Sequence, residues 1–66
     1  MNIIVNGKTQ TIGAAVTVAQ LLDAMDLAGK RVAVEVNREI VPKSRHAEVA
    51  LRDDDRIEIV AAIGGG

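Results

Sequence analysis

The sequence predicts an α+β domain in which a mixed four- to five-stranded sheet packs on one helix. Two observations carry this. Short runs rich in Val and Ile, with period-two alternation, recur at the start, middle and end of the chain, and only one stretch has helical periodicity. A single amphipathic helix cannot bury its apolar stripe alone, so it must lie across one face of the sheet. The 66 residues form one unit, with a folded domain expected over 1–62 and a glycine tail over 63–66.

Met1 to Val5 is apolar and reads as the first strand. Asn6-Gly7 follows, the dipeptide suited to a two-residue type I′ hairpin turn because both central positions need positive φ. Lys8 to Ile12 alternates polar and apolar and is the returning strand. Thr17 to Leu27 is the helix: Val18, Leu21, Leu22 and Met25 fall at i, i+3, i+4 and i+7. Thr17 with Gln20 makes a capping box at its start. Gly29 suits a left-handed position after its end, with Lys30 and Arg31 near the negative pole of the helix dipole.

Val32 to Val36 is the third strand, and Asn37-Arg38-Glu39 a turn. Ile40-Val41 is a short extended piece stopped by Pro42, which cannot donate to a ladder and so belongs at a sheet edge. Lys43 to Ala50 is irregular, with a turn of helix expected near Arg45 to Glu48. Asp53-Asp54-Asp55 is a turn, and Arg56 to Ala61 is the last strand. The period-two rule points Ile3, Val5, Val34, Val36, Ile57 and Ile59 at the helix.

Composition excludes several classes of function. The chain has no cysteine, which removes disulfides, thiolate zinc sites and a thiol nucleophile. Its one histidine, His46, has no nucleophile or carboxylate constellation around it in sequence and reads as a surface or loop residue. No metal site is expected: Asp53 to Asp55 lacks the glycine and distal glutamate of a calcium loop and reads as a solvated turn. Net charge is -1, with no Phe, Tyr or Trp, so neither a phosphate-binding stripe nor a base-stacking platform exists and nucleic acid is not an expected partner. No apolar run approaches the ~20 residues of a membrane span. The expectation is a soluble cytoplasmic protein of marginal stability, since a chain this short buries only about 60% of its unfolded surface.

The candidate functional element is the end of the sequence, Ile63-Gly64-Gly65-Gly66. Glycines placed directly after a strand form a sterically bare tail, and the functional group such a tail presents is the carboxylate of Gly66. Gly64 and Gly65 would let it lie extended in a partner's narrow active site. A terminal carboxylate ionises near pH 3.3–3.7, so at neutral pH it is a poor acyl donor until something activates it (values approximate). On the sheet face away from the helix, Ile4 and Val60, with Ala62 and Ile63, form a candidate docking patch.

These segments resemble a known family. Thr17-Val18-Ala19-Gln20-Leu21-Leu22, Val34-Glu35-Val36-Asn37-Arg38-Glu39-Ile40-Val41-Pro42, and Asp53 to Val60 leading into the glycine tail are similar to the ThiS sulfur carriers of thiamine thiazole biosynthesis, which have a ubiquitin-like β-grasp fold. One departure is Asp54, where the family usually has glycine. The resemblance implies a protein cosubstrate and not an enzyme. The carboxylate of Gly66 would be adenylated by a ThiF-type enzyme using ATP, with no cofactor bound to the carrier. A sulfur donor such as a cysteine desulfurase would then give a thiocarboxylate, whose sulfur passes to a ThiG-type thiazole synthase. Two alternatives stay open: the small subunit of molybdopterin synthase or a carrier for another sulfur pathway, and an unmodified ubiquitin-like interaction module.

Overall fold

A computed structural model of the chain describes residues 1–61. The elements run β1 (Asn2–Val5), β2 (Lys8–Thr11), α1 (Val18–Ala24), β3 (Val32–Val36), β4 (Glu39–Val41), a 3-10 turn at Lys43–Arg45, and β5 (Arg56–Ala61). The five strands form one mixed sheet in the order β2-β1-β5-β3-β4. The last strand inserts at the centre, parallel to β1 and antiparallel to β3.

The hairpin turn is as the dipeptide requires. Asn6 and Gly7 have φ of 50° and 82°, and β1 and β2 pair from Val5–Lys8 to Asn2–Thr11. Asn37 and Arg38 repeat the geometry between β3 and β4, with φ of 51° and 70°. β4 lies at the sheet edge, where Pro42 ends it without leaving a ladder bond unmade.

The helix starts where its capping box sets it. The Thr17 side chain accepts the Gln20 N–H at 3.2 Å, and the Gln20 side chain accepts the Thr17 N–H at 2.8 Å. Its end differs from the sequence expectation. The helix stops at Ala24, and the left-handed position that closes it is Asp26 (φ 60°); Gly29 is left-handed too (φ 76°) but lies in a later turn. The Leu27 N–H reaches Leu22 O at 2.8 Å and the Asp26 N–H reaches Asp23 O at 3.1 Å. This is a Schellman closure, in which the final carbonyls are satisfied by a chain reversal. Aspartate tolerates left-handed φ better than most residues, so no glycine was needed. Lys30 and Arg31 lie too far along to sit in the last helical turn, which holds no basic residue.

The core comprises Ile3, Val5, Val18, Leu21, Leu22, Val34, Leu51, Ile57 and Ile59, all buried. Val36 and Met25 pack against it half-buried. Leu51 arrives through a short link in which Thr17 bridges Ala50, and the Leu51 N–H donates to Val16 O at 2.8 Å. That link joins the helix start to the loop before β5, so the irregular segment helps close the core.

Further sequence readings change in detail: the helical turn expected near Arg45 to Glu48 is a 3-10 turn at Lys43–Arg45. His46 is in a loop but is 8% exposed, not a surface residue. Its Nε2 lies 3.1 Å from Val41 O, and its own carbonyl accepts the Ala19 N–H at 2.9 Å. The histidine thus ties β4 to the helix. The turn at Asp53 to Asp55 is exposed or half-exposed, but it is not merely solvated. Asp53 Oδ1 accepts the Asn2 N–H at 2.7 Å, and Asp55 accepts from the Arg52 N–H and the Asn37 side chain. Asp54 has φ 69°, the conformation for which glycine is the easier residue.

Candidate functional site

The tail residues Gly64, Gly65 and Gly66, and the docking candidates Ala62 and Ile63, lie outside the described residues. What can be built from the structure is the platform that leads to them. β5 is the central strand, and its last residue, Ala61, pairs with Val32, the first residue of β3. β1 flanks only the beginning of β5, with Ile4 beside Arg56 and Val5 beside Ile57. Past that point a side chain takes over the ladder. Asn6 Oδ1 accepts the Ile59 N–H at 2.8 Å, and Asn6 Nδ2 donates to Ile59 O at 3.1 Å. The turn residue thereby imitates one more residue of strand and holds β5 two positions before Ala61.

The outer sheet face follows from the register. Ile4, Arg56, Glu58, Val60, Ala33, Glu35 and Ile40 share it, because paired residues point the same way and successive ones alternate. Ile4 and Val60 are therefore both on the expected face, Ile4 half-buried and Val60 59% exposed. They do not meet in one patch. Ile4 stands level with Arg56, and Val60 is four residues further along β5, about 13 Å at strand rise. Val60 sits beside Ala33, and Ile40, 74% exposed, lies diagonally across on β4. The exposed apolar strip is thus Ile40–Ala33–Val60. Ile40 was missed as a candidate because the proline beside it drew attention only to the edge position.

Glu35 and Glu58 stand directly opposite each other in the middle of this face. Like charges in that arrangement are destabilising. The helix side of the same sheet end has the opposite character. Lys30, Arg31 and Lys43 border a cavity floored by Leu22, Leu27 and Val32, with His46 in its wall. Among the described residues there is no group of three or more His, Asp or Glu arranged to hold a metal ion, and no helix is long and apolar enough to cross a membrane.

A small mixed sheet with a central last strand, one helix across it and a chain that runs on from the centre of the sheet is the ubiquitin-like β-grasp architecture. The particular branch is defined by comparison. The chain belongs to the ThiS family, whose pattern matches residues 3–66. A crystal structure of a thiamine biosynthesis protein (ThiS) from Geobacter metallireducens superposes with a TM-score of 0.87 at 33% identity, over the whole of both chains. The sulfur carrier protein ThiS of Bacillus subtilis is 50% identical over 50 residues, 76% of each chain. A thiazole synthase from Paramagnetospirillum magneticum is 48% identical over all 66 residues, and this chain spans 20% of that protein's length. The family's members among these relatives include sulfur carrier proteins, small chains with a carrying role.

Proposed function

We propose that this chain carries sulfur for thiazole formation in thiamine biosynthesis, through the carboxylate of Gly66. The observation that supports this most is a ThiS-family fold whose central strand is followed in sequence, two residues on, by Gly64-Gly65-Gly66. The chemistry needs nothing from the carrier's side chains. In the first step a carboxylate oxygen attacks the α-phosphorus of ATP, and pyrophosphate leaves. The activating enzyme of the ThiF type supplies the site for this. The resulting acyl-adenylate is electrophilic, so a persulfide sulfur attacks its carbonyl carbon and AMP leaves. A thiol then cleaves the sulfur–sulfur bond, leaving the thiocarboxylate on Gly66. The persulfide derives from a cysteine desulfurase.

A thiazole synthase consumes the product. The match to a relative of that name, in which a region like this one makes up a fifth of the chain, supports that partner. The outer-face strip is the surface we assign to docking: Val60, with Ile63 and Ala62 following it in sequence, and Ile40 beyond Ala33. Ile4 lies at its far margin.

The test is intact-mass analysis of the chain isolated from its own cells and after incubation with the activating enzyme, ATP and a persulfide donor. Exchange of one oxygen for sulfur on the C-terminal peptide is the expected result, and deletion of Gly66 should abolish it while leaving the fold intact. A carboxylate that stays unmodified under all these conditions would support an interaction module instead. Val60→Asp should leave stability within about 0.5 kcal/mol, as surface changes do, yet slow sulfur transfer.

A further inference from the structure

We propose that Lys30 and Lys43 form a basic docking rim that recognises an acidic surface beside the channel into which the tail is taken. This rests on the functional reading above and adds the partner surface's chemistry. Three observations carry it. The first is placement. Ala61 pairs with Val32, and Lys30 and Arg31 immediately precede Val32, so the rim stands at the sheet end from which residues 62–66 continue. Lys43 reaches the same end from the far edge, since Ala33, between Val34 and Val32, falls level with Pro42 when the β3–β4 register is extended.

The second is charge. Lys30, Arg31 and Lys43 border a cavity of about 100 Å³ and Lys43 an adjoining one of about 230 Å³, and among the described residues no carboxylate lines either. The chain as a whole is net -1, so this local excess of cations is an asymmetry and not a reflection of composition. The acidic run Asp53 to Asp55 precedes the other end of β5. The third is the floor. Leu22, Leu27 and Ala28 line the cavities between the cations, so an acidic residue carrying a neighbouring apolar side chain would satisfy both.

Lys30 and Lys43 are exposed and hold no ion pair among the described residues, so a partner does not have to break one to engage them. Charges at the rim of an interface mainly govern encounter rate and its salt dependence. The rim would therefore act on how often the tail is delivered, and not on the chemistry at Gly66.

The experiment is steady-state pyrophosphate release by the activating enzyme, varying carrier and sodium chloride concentrations. The double variant Lys30→Glu/Lys43→Glu is compared with Lys8→Glu/Arg52→Glu, which makes the same change in net charge away from the rim. We expect the rim variant to raise KM for the carrier on the order of tenfold with kcat unchanged, and to flatten the rise of KM with salt. The control variant should stay close to wild type. Thermal melts check folding, and Lys30→Gln/Lys43→Gln replaces the reversal if it unfolds the chain. Equal effects of both double variants would mean that net charge alone matters, and would overturn the rim. A changed KM for ATP with an unchanged KM for the carrier would place a small polyanion there, also overturning it. Dimerisation of the wild type that the rim variant abolishes would make a second copy the occupant and overturn it too. A wild-type chain that releases no pyrophosphate at any salt would instead defeat the carrier reading itself.

Discussion

Asn6 should be worth more to this domain than any exposed turn residue ordinarily is. Its φ of 50° places it in the left-handed region, and its side chain makes both hydrogen bonds that a continuing β1 would have made to Ile59. Each such bond contributes about 0.5–1.5 kcal/mol net. Asn6→Gly keeps the backbone conformation and removes both bonds, so it should cost about 1–3 kcal/mol. Asn6→Ala loses the same bonds and must also hold a β-carbon in the left-handed region, adding roughly 1 kcal/mol. A domain of 66 residues has only about 3–10 kcal/mol in total. At ~4–8 °C per kcal/mol, the glycine variant should melt at least ~4 °C below wild type, with the alanine variant lower still. Urea denaturation of the three proteins measures the free energies, and hydrogen exchange at the Ile59 amide reports whether the loss is at that site. A glycine variant as stable as wild type would refute the claim that the side chain stands in for strand. An alanine variant no worse than glycine would refute the conformational part.

Three other outcomes follow from the same geometry. Glu58→Gln removes a like-charge pair opposite Glu35 and should stabilise by about 0.2–1 kcal/mol, with the gain shrinking in high salt, as read by urea titration at two salt concentrations. Ile57→Ala empties a site that is 1% exposed at the centre of the core and should cost about 2–5 kcal/mol, enough to leave a large fraction unfolded by circular dichroism at room temperature. Gly65→Val should leave the melting temperature unchanged while blocking adenylation, because a β-branched side chain stiffens and widens the tail; a large fall in melting temperature would show that the tail is packed.

What the sequence disclosed depended on whether the cause was local. Asn6-Gly7 and the Thr17–Gln20 box each place their own geometry within a few residues, and both hairpin and helix start were readable. The final strand was readable because Arg56 to Ile59 alternates polar and apolar and the β-favouring run carries on through Val60. The helix end was not, since its left-handed position went to Asp26 and the more obvious Gly29 followed in a later turn. Leu51 ends the short run Val49-Ala50-Leu51 in a segment with neither strand nor helix periodicity, so no pattern marked it as core. The parallel pairing of β1 with β5 links residues more than fifty apart, and nothing local specifies it beyond the count of strands and the one helix. Of the candidate site's described residues, the outer positions of Ile4 and Val60 were legible. The strip running to Ile40 and the rim shared between Lys30 and Lys43 were not, because each is assembled from strands and loops that only the sheet order brings together.

If the reacting group is on the main chain, the domain's task is to present a strand end in a fixed direction to successive partners, and any weakness near that end would be a loss of aim before it was a loss of fold. The structure reinforces this region unevenly. β5 is central, but β1 stops beside Ile57, and the last turn of its support on that side is one asparagine side chain. On the other side the β3 ladder continues through Ala61. Loosening the Asn6 side should therefore let β5 hinge about its β3 partner. Such a hinge would raise KM for the activating enzyme in Asn6→Gly while leaving kcat for bound carrier unchanged at temperatures well below its melt. Equal KM values for wild type and Asn6→Gly under those conditions would show that presentation does not depend on how firmly the end of β5 is held.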